Sequence, residues 1–140
     1  MLDISVIVPI YNEEENIRTL YNRLTDTLKK DISDDYEIIF VNDGSKDSSI
    51  TIIKSLASLD NKVKYIDLSR NFGHQNAVFA GMNYVNGASV VIIDADLQDP
   101  PETIIDLYRK MKEGFDVVYA QRIVRNGESW HKKLTAKYFY

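Results

Sequence analysis

The sequence predicts a three-layer α/β/α fold built on a mainly parallel sheet, and three observations predict it. Short β-branched runs alternate with stretches of helical periodicity along the chain. The runs are apolar with little alternation, the pattern of strands covered on both faces. Repeated strand–helix–strand units close through right-handed crossovers onto one sheet. With 140 residues, 44% of them apolar, the chain is long enough for one domain with a real core.

Strands are expected at 4–10, 36–41, 63–68, 89–94 and 116–120. After the first, Ile17, Leu20, Tyr21, Leu24 and Leu28 recur at helical spacing; after the second, Ile52, Ile53, Leu56 and Leu59 do so. A third helix is expected at about 75–84. The fourth opens with Asp99-Pro100-Pro101-Glu102, where Asp99 is the expected cap, Pro101 suits the first turn and Glu102 stands at capping-box distance. Ile104, Ile105, Leu107, Tyr108 and Met111 then form its buried stripe.

Composition narrows the function classes. A formal charge of −4 argues against a general nucleic-acid binder, which carries a basic excess. The absence of cysteine excludes disulfides and thiolate metal sites and fits a cytosolic chain. Residues 1–3 lack the basic start of a signal peptide, and no apolar run reaches the ~18 to 20 residues of a membrane span, so this chain alone reads as soluble. Its aromatic end, Lys137 to Tyr140, carries no helix-stop signal, and the chain reads as a fragment of something longer.

In parallel sheets the ligand sits beyond the carboxyl ends of the strands, and there the polar residues gather. Asp94-Ala95-Asp96 follows a strand, and its two carboxylates suit one hard cation, with Gln98 adding an oxygen nearby. The bland alternative is turn chemistry, but Asp99 already supplies a cap. Asn42-Asp43-Gly44-Ser45 ends another strand. A tight turn explains Gly44 and Ser45, with Ser45, Asp47 and Ser48 as caps of the next helix, and leaves Asp43 for a base or ribose. In Pro9-Ile10-Tyr11-Asn12-Glu13-Glu14-Glu15, Tyr11 offers an aromatic face to a base and Glu13 an acceptor, while Glu14 and Glu15 complement a helix dipole.

Taken in order, 9–13, 41–45 and 94–102 resemble the family 2 inverting glycosyltransferases. The intervening 68–77, Leu-Ser-Arg-Asn-Phe-Gly-His-Gln-Asn-Ala, resembles the subgroup that acts on polyprenyl phosphate, including dolichyl-phosphate mannose synthases and bacterial undecaprenyl-phosphate glucosyltransferases. The resemblance spans essentially the whole chain. It implies the GT-A nucleotide-diphospho-sugar transferase fold, Rossmann-like, with 1–121 as the nucleotide-sugar-binding domain and 122–140 opening the acceptor or membrane-interface region. It also implies Pro9, Tyr11, Glu13 and Asp43 as nucleoside contacts, and Asp94, Ala95, Asp96 and Gln98 at the diphosphate, with Asp94, Asp96 and Gln98 on Mg²⁺ or Mn²⁺. Arg122 matches a family arginine beside the donor phosphate and acceptor, so Asp96 and Arg122 are the expected catalytic residues. Arg70, Asn71 and His74 are weaker candidates, and a lone loop histidine is more often structural.

The implied reaction moves a hexose, UDP-glucose-like or GDP-mannose-like, from its nucleotide to a polyprenyl phosphate. Many members carry a catalytic aspartate in a Glu-Asp pair beyond the metal motif, and no such pair precedes Tyr140. An ionised phosphate acceptor lessens the need for a base, so chemistry would rest on positioning and metal stabilisation of the leaving group. The stretch 122–140 has five Lys or Arg against one acid, with Trp130, Leu134 and Tyr138 four apart. That composition suits a helix at a membrane surface, on the cytoplasmic face, or one packed on a further domain. A polysaccharide or teichoic-acid-like acceptor, a nucleotidyltransferase and a non-catalytic nucleotide-binding fragment are the alternatives; the acidic, glycine-free 9–15 argues against the second. A homo-oligomer stays open.

Overall fold

The computed structural model describes residues 2–121. Arg122 and the basic aromatic stretch that follows lie outside them. Four parallel strands, β1 (Leu2–Ile10), β2 (Tyr36–Asn42), β3 (Val63–Asp67) and β4 (Gly87–Ile92), stand in the order β3-β2-β1-β4. They alternate with α1 (Ile17–Asp31), α2 (Ser49–Leu59), α3 (His74–Met82) and α4 (Thr103–Lys112).

The sheet separates two cores. On one face Ile4, Val6, Val8 and Ile10 of β1 and Tyr36, Ile38 and Phe40 of β2 meet Ile17, Leu20, Leu24 and Leu28 of α1, Ile53 and Leu56 of α2 and Ile104 of α4. On the other, Ile7, Ile39 and Val41 meet Ala77 of α3. Successive strand residues point to opposite faces, and β1 and β2 are largely apolar because both faces are roofed, with Ser5, Glu37 and Asn42 as buried polar exceptions. Gly81 lets α3 lie close to the sheet: a Cβ there would come within 2.7 Å of the Ile7 side chain.

At the amino ends of the strands a buried Glu37 fastens β4. Its carboxylate accepts from Ser5 Oγ at 2.6 Å, the Asn86 backbone N–H at 2.7 Å and Lys64 Nζ at 2.5 Å. Burial pushes this carboxyl up, but the hydrogen bonds from Lys64, Ser5 and Asn86 outweigh it and hold it below the usual carboxylate range.

Several local expectations are corrected. Residues 116–120 form no strand; Val117 and Tyr119 are each 81% exposed. β-propensity describes a side chain that fits a half-buried pleat, and among the described residues no strand lies beside this segment. Leu59 is exposed rather than part of the α2 stripe. α4 starts at Thr103, later than the expected cap at Asp99 implies, and its N-cap residue is Glu102, which makes no side-chain cap hydrogen bond. Its entry is made by backbone turns, Thr103 N–H to Pro100 O at 3.0 Å and Ile104 N–H to Pro101 O at 3.1 Å. Glu102 instead pairs with Arg23 of α1 at 3.0 and 2.5 Å, a tertiary contact that spacing along the chain cannot reveal. Of the α4 stripe only Ile104 is fully buried.

Candidate functional site

The carboxyl ends of β1, β2 and β4 open onto one cleft, lined by Pro9, Ile10, Tyr11, Glu13, Asp43, Asn71, His74, Ala77, Asp94, Ala95 and Asp96. At the β1 end the chain turns sharply at Asn12, whose φ is 56°. α1 begins only at Ile17 and has no acid in its first turn, so Glu14 and Glu15 do not serve its dipole. The Glu14 carboxylate accepts the Ser48 N–H at 2.7 Å, and the Glu14 N–H donates to Asp47 Oδ2 at 3.1 Å. Neither do Ser45 and Ser48 cap α2. Ser45 Oγ accepts the Asn12 N–H, and Ser49 Oγ accepts the Glu13 N–H, each at 3.0 Å. Polar residues that looked like caps join two loops distant in sequence; Asp47 alone also makes the local contact, its Oδ1 accepting the Ser49 N–H at 3.0 Å.

Asp43 is 3% exposed. Its Oδ1 accepts the Phe72 N–H at 2.7 Å and its Oδ2 the Gly73 N–H at 2.9 Å. The carboxylate therefore fixes the loop between β3 and α3, which carries Asn71 and His74 into the cleft. Gly44 permits the fit twice over: its φ is 68°, and a Cβ would stand 2.4 Å from the Arg70 carbonyl carbon. Asp43 thus has a structural duty that the turn reading assigned to its neighbours alone.

At the end of β4 the alternation of the strand continues past its last ladder residue. Ile93 and Ala95 are buried at 6% and 3%, whereas Asp94 and Asp96 are exposed. Ala95 thus contributes an anchor in the core, and the two carboxylates flank it on the open side. Leu97 follows at a φ of 59°, a conformation costly for a branched residue, with its side chain packed against the core. The Gln98 N–H donates to Asp96 Oδ1 at 3.0 Å and closes the turn. His74 Nε2 faces Asp94 Oδ1 across the cleft at 3.7 Å.

The structure brings together Pro9, Tyr11, Glu13, Asp43, Asp94, Ala95 and Asp96. Gln98 adjoins Asp96 through its backbone but does not line the cleft. Sequence reasoning undervalued Asn71 and His74, both lining residues. Their position in a dense polar segment after a strand was the available signal. Among the described residues no three His, Asp or Glu side chains converge on one point. Two carboxylates with open neighbouring positions form the kind of ligand set that Mg²⁺ or Mn²⁺ completes with phosphate oxygens and water. No helix among the described residues is long and apolar enough to cross a membrane.

Comparison with known proteins agrees with this architecture. A Bacillus subtilis protein named as the uncharacterized glycosyltransferase YkcC is 53% identical over 136 residues, covering 97% of this chain and 42% of the relative. An undecaprenyl-phosphate 4-deoxy-4-formamido-L-arabinose transferase of Proteus mirabilis is 42% identical over 135 residues, covering 96% of this chain and 41% of that protein. The chain thus spans about two fifths of the length of these curated relatives. Among solved structures, S. aureus TarS 1-349 in complex with UDP-GlcNAc superposes with a TM-score of 0.62 at 29% identity, over 80% of this chain and 32% of that 1-349 chain. Residues 5–140 match the description Glycosyl transferase family 2, and with the parallel sheet and the cleft at its carboxyl edge, this chain belongs to that family with a GT-A fold.

Proposed function

We propose that this chain is the donor-binding part of a glycosyltransferase that moves a hexose from a nucleoside-diphosphate sugar to a polyprenyl phosphate, with inversion. The observation that carries the proposal is a single cleft holding an aromatic and acidic end, Tyr11, Glu13 and Asp43, and a dicarboxylate end, Asp94 and Asp96. A nucleoside diphosphate has that polarity, a flat base at one end and an anion that needs a cation at the other. UDP-GlcNAc bound to the superposable TarS supports a nucleotide-sugar donor. The undecaprenyl-phosphate relative supports a lipid phosphate acceptor.

In this reading Tyr11 stacks on the base, Glu13 and Asp43 accept from base or ribose, and Pro9 walls the pocket. Asp94 and Asp96, with Gln98 beside them, hold a divalent cation. That cation, when bound, neutralises the departing diphosphate. An oxygen of the acceptor phosphate forms a bond to the anomeric carbon as the bond to the diphosphate oxygen breaks, on the opposite face. The acceptor is already ionised at neutral pH, so no protein base has to remove a proton. The family resemblance assigns Arg122 to the donor phosphate and acceptor, and the basic, aromatic composition of 122–140 suits contact with the cytoplasmic membrane surface in the full-length protein.

Calorimetric titration of UDP and GDP, with Mn²⁺ and then with chelator, tests the donor site. Metal-dependent binding of one nucleotide is expected and identifies the base. Binding of neither by the folded chain refutes the proposal.

A further inference from the structure

We infer that Asn12 is a positioning residue that holds the nucleoside end of the cleft by joining the β1 and β2 loops, an inference that rests on the donor-site reading. Asn12 does not line the cleft, but both of its neighbours, Tyr11 and Glu13, do. Its backbone has a φ of 56°, a left-handed conformation in which asparagine is tolerated and most side chains clash. In that conformation its two polar groups reach the other loop. The Asn12 N–H donates to Ser45 Oγ at 3.0 Å, and its Oδ1 accepts the Lys46 N–H at 2.7 Å. Glu13 N–H to Ser49 Oγ, Glu14 N–H to Asp47 Oδ2 and Ser48 N–H to Glu14 Oε2 extend the seam, at 3.0, 3.1 and 2.7 Å.

The seam matters because Asp43 lies at the start of the second loop. Ser45 is tied back to Asn42 Oδ1 through its own N–H at 3.2 Å, and Asn42 Nδ2 donates to Asp67 of β3 at 2.8 Å. Tyr11 and Glu13 on one side and Asp43 on the other are thereby set at a fixed separation before any ligand arrives. Preorganisation of this kind acts on affinity by removing the ordering that binding would otherwise have to accomplish.

Asparagine meets two demands at position 12, and substitutions separate them. Aspartate keeps the acceptor oxygen and tolerates the left-handed turn. Glycine keeps the turn and loses the bond, and alanine loses both. With whichever of UDP and GDP binds the unaltered chain in Mn²⁺, Asn12→Asp should bind within about twofold, Asn12→Gly should be intermediate and Asn12→Ala should be weaker by about tenfold. Amide exchange in Asn12→Ala should rise in both 11–15 and 44–49, since each loop holds the other. Rescue by aspartate is what a merely tolerated surface residue would not display. Unchanged nucleotide affinity in Asn12→Ala, or faster exchange confined to 11–15, overturns the inference while leaving the donor site standing. If the unaltered chain binds neither nucleotide, the donor-site reading fails, and the exchange pattern alone decides whether Asn12 joins the two loops.

Discussion

The two ends of the cleft are built on opposite plans. At the β1 and β2 ends, backbone amides of one loop are answered by side chains of another. Asp43 is buried with each of its oxygens accepting an N–H, and five hydrogen bonds cross between 12–14 and 45–49. At the β4 end, Asp94 and Asp96 stand exposed just past the last residue of β4, with Asp96 held locally by the Gln98 N–H. A rigid end suits a flat, neutral base, whose recognition depends on fixed distances. An open end suits an ion and a diphosphate, which arrive hydrated and complete the coordination themselves.

The sharpest way to break this contrast is to remove one carboxylate from each end. Asp43→Ala leaves the Phe72 and Gly73 amides without their acceptor and frees the loop that carries His74. Hydrogen bonds to a charged group contribute about 1.5–3 kcal/mol each, so a loss of roughly 3 kcal/mol in stability is expected. A fall in Tm of roughly 10 °C follows by thermal denaturation. Asp94→Ala removes an exposed carboxylate and should change stability by less than about 0.5 kcal/mol, while abolishing the Mn²⁺-dependent part of nucleotide binding. Equal Tm changes in the two variants would erase the distinction between the ends.

A finer test lies in the left-handed residues, one in each half. Asn12 is supported by its own hydrogen bond, whereas Leu97 is supported only by packing its side chain on the core. Leu97→Gly relieves a backbone penalty of roughly 1 kcal/mol and loses a comparable amount of packing, so stability should move by less than about 1 kcal/mol. The Asp96 turn loses its anchor all the same, and Mn²⁺-dependent nucleotide affinity should fall by about threefold to tenfold. Unchanged affinity would show that the turn is set by the Gln98 hydrogen bond rather than by Leu97.

The two plans also explain what could be read from the sequence. The four strands and the α1 stripe were legible as β-branched runs and a 3.6-residue period, but burial on both faces holds only for β1 and β2; Tyr65 of β3 and Val90 and Ile92 of β4 are exposed. The place of Asp94 and Asp96 on the open cleft was legible too, from two carboxylates flanking a small residue at a strand end, although Asp96 also serves the turn by accepting the Gln98 N–H. The stitched end was not. Ser45, Asp47 and Glu14 have obvious local uses as caps and dipole partners, and Ser45 and Glu14 are engaged instead by a loop more than 30 residues away. Residues 116–120 failed for a related reason: a strand is a pairing, and the pattern of one segment does not contain its partner. Local chemistry is written locally, while cross-loop chemistry becomes visible only when the fold brings the loops together.

The smallest expected effect comes from acid acting on the seam itself. Burial pushes the Asp47 carboxyl up, but hydrogen bonds from Ser49 and from the Glu14 backbone outweigh it and hold it below the ordinary aspartate value. The sign follows from linkage. A carboxyl with a depressed pKa in the folded state contributes stability that is fully present above its unfolded pKa and is lost as pH falls through the folded value. The seam should therefore be intact at neutral pH and weaken only in acid, below the ordinary aspartate range. Asp47→Asn keeps an acceptor oxygen but does not titrate, so its urea midpoint should fall less between pH 6 and pH 3 than that of the unaltered chain. Amide exchange at 12–14 should show the same reduced acid dependence. A pH profile identical in the two proteins would mean that Asp47 is not a working part of the seam, and that Asn12 and Ser45 hold the loops without it.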